Sequence, residues 1–127
     1  MESRTFLATL EHLHEMLRWI KQKAEKAGLH EARLYQIELA CEEVIVNIIH
    51  HSYQDRGGKI EIQLQVLPKK EISITLLDDG APFNPLTQEV KPQEIGGLGL
   101  LFIRECTDEA LYERADNRNK LTLVKKL

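Results

Sequence analysis

The sequence predicts an α+β domain, a two-layer sandwich in which a mostly antiparallel sheet carries its helices on one face. Three observations carry that reading. Apolar residues recur at helical spacing in two early segments, first at Leu13, Met16, Leu17, Ile20 and Ala24, then through the stretch from Cys41 to Tyr53. After Gly57-Gly58 the period changes to two: Ile60, Ile62, Leu64 and Val66 alternate with polar residues, and Ile72, Ile74 and Leu76 do so again. Finally, the strands come in hairpins and are not interleaved singly with helices, which favours antiparallel pairing. The 127 residues form one domain, 1–127, with enough material for a real core.

Taken in order, Arg4 to Leu10 alternate imperfectly and predict an edge strand. A first helix follows from His12, with Gly28 as its C-cap. A second helix runs from about Glu31 to Ser52. The strand at Ile60–Val66 turns at Pro68-Lys69-Lys70 into the strand at Ile72–Leu76. From Asp79 to Gly97 no period survives, and a loop of that length inside a compact domain is usually functional or disordered. Leu98 to Thr107 predicts a third helix. Two closing strands, near Ala110–Arg114 and Leu121–Lys126, flank the polar turn from Ala115 to Asn119.

The composition excludes several function classes. A net charge of −3 argues against sequence-independent nucleic-acid binding. No apolar run approaches the length of a membrane span and no signal peptide opens the chain, so a cytoplasmic protein with no membrane partner is expected. Cys41 and Cys106 lie in apolar helical patterns without metal-ligand spacing and are expected to be buried, reduced thiols. His12, His14 and His30 are expected at the surface.

The second helix poses a question. It is apolar almost all round, yet Gln36, Ala40, Glu43, Asn47 and His51 form a narrow stripe along it. Such a stripe could simply face water. It could also work: a carboxylate can take a proton from a hydroxyl, and an amide oxygen one turn on is a hard ligand of the kind Mg²⁺ accepts beside phosphate. The helix alone leaves both readings open.

Two glycine clusters bear on the choice. Leu77-Asp78-Asp79-Gly80-Ala81-Pro82-Phe83 ends a strand, where Asp78 can accept a hydrogen bond from an exocyclic amine and Gly80 lets a flat base approach. Ile95-Gly96-Gly97-Leu98-Gly99-Leu100 ends the loop and opens a helix, a place where free N–H groups attract anions. Either cluster alone is also what an ordinary turn or hinge looks like.

Their order is more informative. Glu-x-x-x-Asn on a helix, Asp-x-Gly at a strand end, a loop, and Gly-x-Gly opening a helix together resemble the GHKL superfamily of ATPases and kinases, whose nucleotide site is the Bergerat fold. The resemblance covers nearly the whole chain. It is nearest to the stand-alone anti-sigma factor serine/threonine kinases of bacteria, which share the N-terminal strand and helix, the acidic pair before the Asn, the Gly-Gly-x-Gly-Leu stretch and a final strand ending in lysines.

That resemblance implies roles. Glu43 would be the general base, and Asn47 would ligate Mg²⁺ as well as contact ATP. His51 would line the phosphate end. Asp78 would bind the adenine amine, with Gly80 beside the base, and Phe83 would belong to the ATP-binding set. Gly97, Leu98, Gly99 and Leu100 would meet the phosphates, and the segment from Ala81 to Ile95 would be the ATP lid. Thr122 is the candidate for the threonine that relatives place near adenine. The chain departs from the pattern where Pro82 replaces a second glycine, and in a lid with no Arg, whose one cation is Lys91.

The resemblance thus implies an ATP- and Mg²⁺-dependent protein serine kinase that acts as an anti-sigma regulatory factor. Its phosphorylation target would be a STAS-type antagonist, its other partner a sigma factor, and it could dimerise through the first strand and helix. The alternative is a nucleotide-binding interaction module without kinase activity, which the Arg-free lid favours. The catalytic domain of a two-component histidine kinase fits less well, since no helix pair carrying a phospho-acceptor His is present in the sequence. The sequence identifies neither the partner nor the signal.

Overall fold

The computed structural model describes residues 1–87 and 99–127. Its elements are β1 (Glu2–Leu7), α1 (Leu13–Ala27), α2 (Glu31–Asn47), β2 (Lys59–Leu67), β3 (Glu71–Asp78), α3 (Gly99–Cys106), β4 (Glu109–Ala115) and β5 (Arg118–Lys126). The sheet order is β1-β2-β3-β5-β4, and each neighbouring pair is antiparallel. The expected α+β sandwich is therefore what forms, with β1 at one edge as expected and β4 at the other.

Alternation in the central strands decides which face is covered. Leu76 lies opposite Ile62 on β2 and Leu121 on β5, while Ile74 lies opposite Leu64 and Leu123. All six are buried in one core with Ile20 of α1, Ile37, Cys41, Val44 and Ile45 of α2, and Ile103 of α3. Each such side chain contributes roughly 1.5–3 kcal/mol by leaving water. The rows between them carry Gln63, Thr75 and Thr122 to the opposite face.

Local signals account for the ends. At the C-cap of α1, Gly28 adopts φ 119°, the left-handed conformation that glycine tolerates, and its N–H reaches the Ala24 and Glu25 carbonyls. Asp116 and Asn117, at φ 54° and 60°, make the tight turn between β4 and β5 that these residue types favour. β1 starts and stops earlier than the sequence predicts. The Thr9 hydroxyl meets His12 Nδ1 at 2.6 Å, and the chain turns there through a short 3₁₀ segment, Leu10–His12.

Both cysteines are free and buried. Burial, with the charge of Glu38 second, pushes the Cys41 thiol up to about 12, so it stays protonated and unreactive. Among the described residues no helix is long and apolar enough to cross a membrane.

Candidate nucleotide-binding site

The polar stripe of α2 does not simply face water. Its lower end is tied to the sheet: the Gln36 side-chain oxygen accepts from Lys125 Nζ at 2.8 Å. The same ammonium, buried on β5, donates to the Cys106 carbonyl at 2.9 Å, where a positive charge suits the C-terminus of α3. Ala40 is fully buried. Glu43 and Asn47 are half-buried, and neither side chain hydrogen-bonds to another described residue. Burial, and then the neighbouring charge of Glu42, raises the Glu43 carboxyl above its ordinary range.

The α-helix ends at Asn47, earlier than the predicted Ser52, because the chain widens into a π-helical turn over Ile48–Ser52. The Tyr53 N–H donates to the Ile48 carbonyl, five residues back, at 3.0 Å. Such turns often mark functional sites. The wider turn breaks the four-residue register of the stripe. His51 is left exposed, while Ser52 is turned inward and buried. His51 instead stacks on Phe83, with ring centroids 4.7 Å apart and planes 14° apart.

The end of β3 abuts this turn. Asp78 lies on the helix-facing side of the sheet, opposite Ile60 on β2 and Asn119 on β5. Its Oδ1 accepts from the Gly80 N–H at 2.9 Å and from Asn119 Nδ2 at 2.9 Å. Burial raises its carboxyl, and those two hydrogen bonds oppose the shift. The segment after it is held from several sides. The Ala81 N–H donates to the Ser52 carbonyl at 2.8 Å, the Asp79 N–H to Tyr53 Oη at 2.9 Å, and Arg114 to the Gly80 carbonyl at 2.9 Å.

Gly80 has a concrete reason to be glycine. A Cβ there would lie 2.5 Å from the Ser52 carbonyl oxygen, a backbone atom that cannot step aside. The role seen in the structure is close approach of the loop to the π-helical turn, a different one from the expected approach of a base. Gly80→Ala is expected to cost about 1–3 kcal/mol, the usual penalty of forced overpacking, read as a lower urea midpoint. An unchanged midpoint would show that the joint is not close-packed.

Asn47, Asp78 and Phe83 line one narrow slot, and Leu76, Tyr112 and Asn119 are among its other walls. Its free volume of about 10 Å³ is roughly that of one water, so a flat ligand enters only if the slot widens. Gly99 and Leu100 open α3 as expected. Gly97, Leu98, Lys91 and most of the expected lid lie outside the described residues.

Thr122 is not brought to the slot. The alternation of β5 sends Leu121 and Leu123 into the core, so Thr122 points to the other face, where its hydroxyl lies 3.1 Å from that of Thr75. The β5 residue that faces Asp78 is Asn119, two before Leu121. Extending the alternation back from Leu121 would have found it. Ser52 carried no such signal, because only the π-helical turn buries it.

An apolar slot with a buried carboxylate acceptor lies next to a helix that offers a hard amide oxygen and a half-buried carboxylate, groups whose chemistry suits a purine and its phosphates. Comparison with known proteins agrees. The model of the histidine kinase-like ATPase domain family matches residues 6–125, and the chain belongs to that family. Among similar proteins, the anti-sigma F factor of Clostridium novyi is 28% identical over 98 residues, covering 71% of this chain and 68% of that protein. The anti-sigma F factor of Clostridium acetobutylicum is 23% identical over 97 residues, covering 71% of this chain and 67% of that protein.

Proposed function

We propose that the chain is an ATP- and Mg²⁺-dependent protein serine kinase acting as an anti-sigma regulatory factor, with a STAS-type antagonist as its phosphorylation target. The observation that carries this reading is the placement of Glu43 and Asn47 on one helix, with Asn47 at the slot that Asp78 closes. Asp78 accepts the adenine amine. Asn47 suits Mg²⁺: its side chain is half-buried at the slot and has no protein partner among the described residues, and one amide oxygen is the kind of sparse, hard donor set this ion takes beside phosphates. When bound, the ion neutralises phosphate charge. Glu43 receives the proton of the attacking serine hydroxyl, a task helped by the raised affinity for protons that its burial gives. Positioning and charge neutralisation are most of what phosphoryl transfer asks of a protein.

The names of the two Clostridium proteins support the anti-sigma part of the reading. The site accounts for how binding could be regulated. Nucleotide entry widens the slot, so partners that touch its walls meet a different surface in the filled and empty states. Such a protein works in the cytoplasm, through protein contacts alone.

Incubation with labelled ATP, Mg²⁺ and a panel of STAS-domain proteins from the same genome tests the proposal. Label on a serine of one panel member is the expected result. Mg²⁺-dependent ATP binding without label on any of them would favour the second reading, a nucleotide-dependent interaction module, which the absence of Arg between residues 81 and 95 supports. Pull-downs in ATP and in ADP then show whether a sigma factor or a STAS protein binds one state better, since equal affinity would shift nothing.

A further inference from the structure

Asn119 is buried at 3% exposure, at the start of β5 on the sheet's helix-facing side, and every polar atom of its side chain is engaged. Nδ2 donates to Asp78 Oδ1 at 2.9 Å and to the Ala81 carbonyl at 2.8 Å, with the Ser52 hydroxyl further off at 3.4 Å. Oδ1 accepts from the Phe83 N–H at 3.1 Å and from the Tyr112 hydroxyl at 2.5 Å. The amide cannot be turned over. The Phe83 N–H is a donor and must meet the oxygen, which leaves the NH₂ facing Asp78.

We propose that Asn119 is the positioning residue for base selection: it fixes the Asp78 carboxylate so that one oxygen is occupied and the other is presented to an amine-bearing base. The proposal rests on the nucleotide-site reading above. It follows from counting donors. The two N–H bonds of Asn119 are spent on the two near acceptors, so the amide has nothing left to offer a base. Both hydrogen bonds described for Asp78 fall on Oδ1, and Oδ2 has no partner among the described residues. The slot therefore reads a base through one carboxylate oxygen, and that oxygen asks for a donor.

Without Asn119 the arrangement loosens. Asp78 keeps only the Gly80 N–H, its burial is opposed by one hydrogen bond fewer, and it binds a proton more readily. A carboxyl that can rotate no longer presents one fixed oxygen, and whenever it carries a proton its O–H can donate to the 6-carbonyl of hypoxanthine, so the preference for the 6-amine of adenine shrinks. A residue that merely supported the fold would, when lost, weaken both nucleotides alike.

Calorimetry with ATP and with inosine triphosphate, each with Mg²⁺, separates these cases. The unaltered chain is expected to favour ATP by about tenfold or more, the worth of one hydrogen bond to a charged group. In Asn119→Ala that ratio is expected to fall below about threefold, with inosine triphosphate affinity changed little. Circular dichroism confirms folding. If the alanine variant does not fold, Asn119→Thr, whose β-branched side chain suits a strand, is measured in its place, with a loss of at least about threefold in the ratio expected. A ratio unchanged in the folded variant overturns the proposal and leaves nucleotide binding standing. Binding of both nucleotides with equal strength by the unaltered chain also overturns it. No binding of either by the unaltered, folded chain removes the nucleotide-site reading itself, and this inference with it.

Discussion

Asp78→Asn is expected to weaken ATP binding about 10–100-fold, through loss of a hydrogen bond to a charged group and its replacement by a mismatch. The geometry leaves the amide no good orientation. If its oxygen takes the place of Oδ1 and accepts from Gly80 and Asn119, its NH₂ faces the slot and meets the adenine amine donor to donor. If it turns over, its NH₂ faces the Gly80 N–H and Asn119 Nδ2, two donors that now have no acceptor. The fold should survive. Burial raises the Asp78 carboxyl in the folded state, so its contribution to stability is fully present below the ordinary carboxylate range and is lost as pH rises through the raised value. At neutral pH the charged group is thus a cost, and a neutral amide of the same shape removes it. Calorimetry at pH 7.5 or so, on protein shown to be folded, checks the result. ATP affinity equal to that of the unaltered chain would mean that the base is not read at Asp78.

Much of this architecture was legible in the sequence because periodicity is a direct record of burial. Ile60, Ile62 and Leu64 alternate because one face of β2 is covered, and the spacing of Leu13 to Ala24 gives the buried stripe of α1. The motif order singles out Asn47 and Asp78 as site candidates, and the fold brings both to one slot. What was not legible came from two sources. Inserting a π-helical turn changes the register of a helix without changing its composition, so Ile48–Ser52 read as more α-helix and His51 as one more member of the Glu43-Asn47 line. The other source was a strand that starts polar. β5 begins at Arg118, but only from Leu121 is it apolar on alternate positions, so the pattern offers Thr122 as the candidate near the base and assigns Asn119 to the turn. Its inward position is held by hydrogen bonds, to Asp78, Ala81, Phe83 and Tyr112, and polar burial of that kind has no periodic signature.

Glu43→Ala is expected to lower phosphoryl transfer about 10²–10⁴-fold, the range for loss of a general base, with ATP affinity within about twofold of the unaltered chain. A base acts on the nucleophile, and nothing in the slot that would hold the nucleotide depends on Glu43; the slot is lined by Asn47 and Asp78, not by it. Glu42 is the natural control. It is adjacent in sequence but points about 100° away around the helix, so Glu42→Ala should keep most of the activity. The pair also makes a pH prediction. Burial first and the Glu42 charge second raise the Glu43 carboxyl, and only the ionised form can accept a proton. The rate should therefore fall off on the acid side at a higher pH than an ordinary carboxylate would give. Glu42→Gln removes the second cause and leaves the first, so the acid limb should move to lower pH while the plateau stays put. Single-turnover transfer measured from pH 5 to 8 or so, for all three variants, reads both effects. Equal loss in the Glu43 and Glu42 alanine variants would show that the carboxylates share the task or that the helix register is wrong. An acid limb unmoved by Glu42→Gln would show that the titrating group is not Glu43.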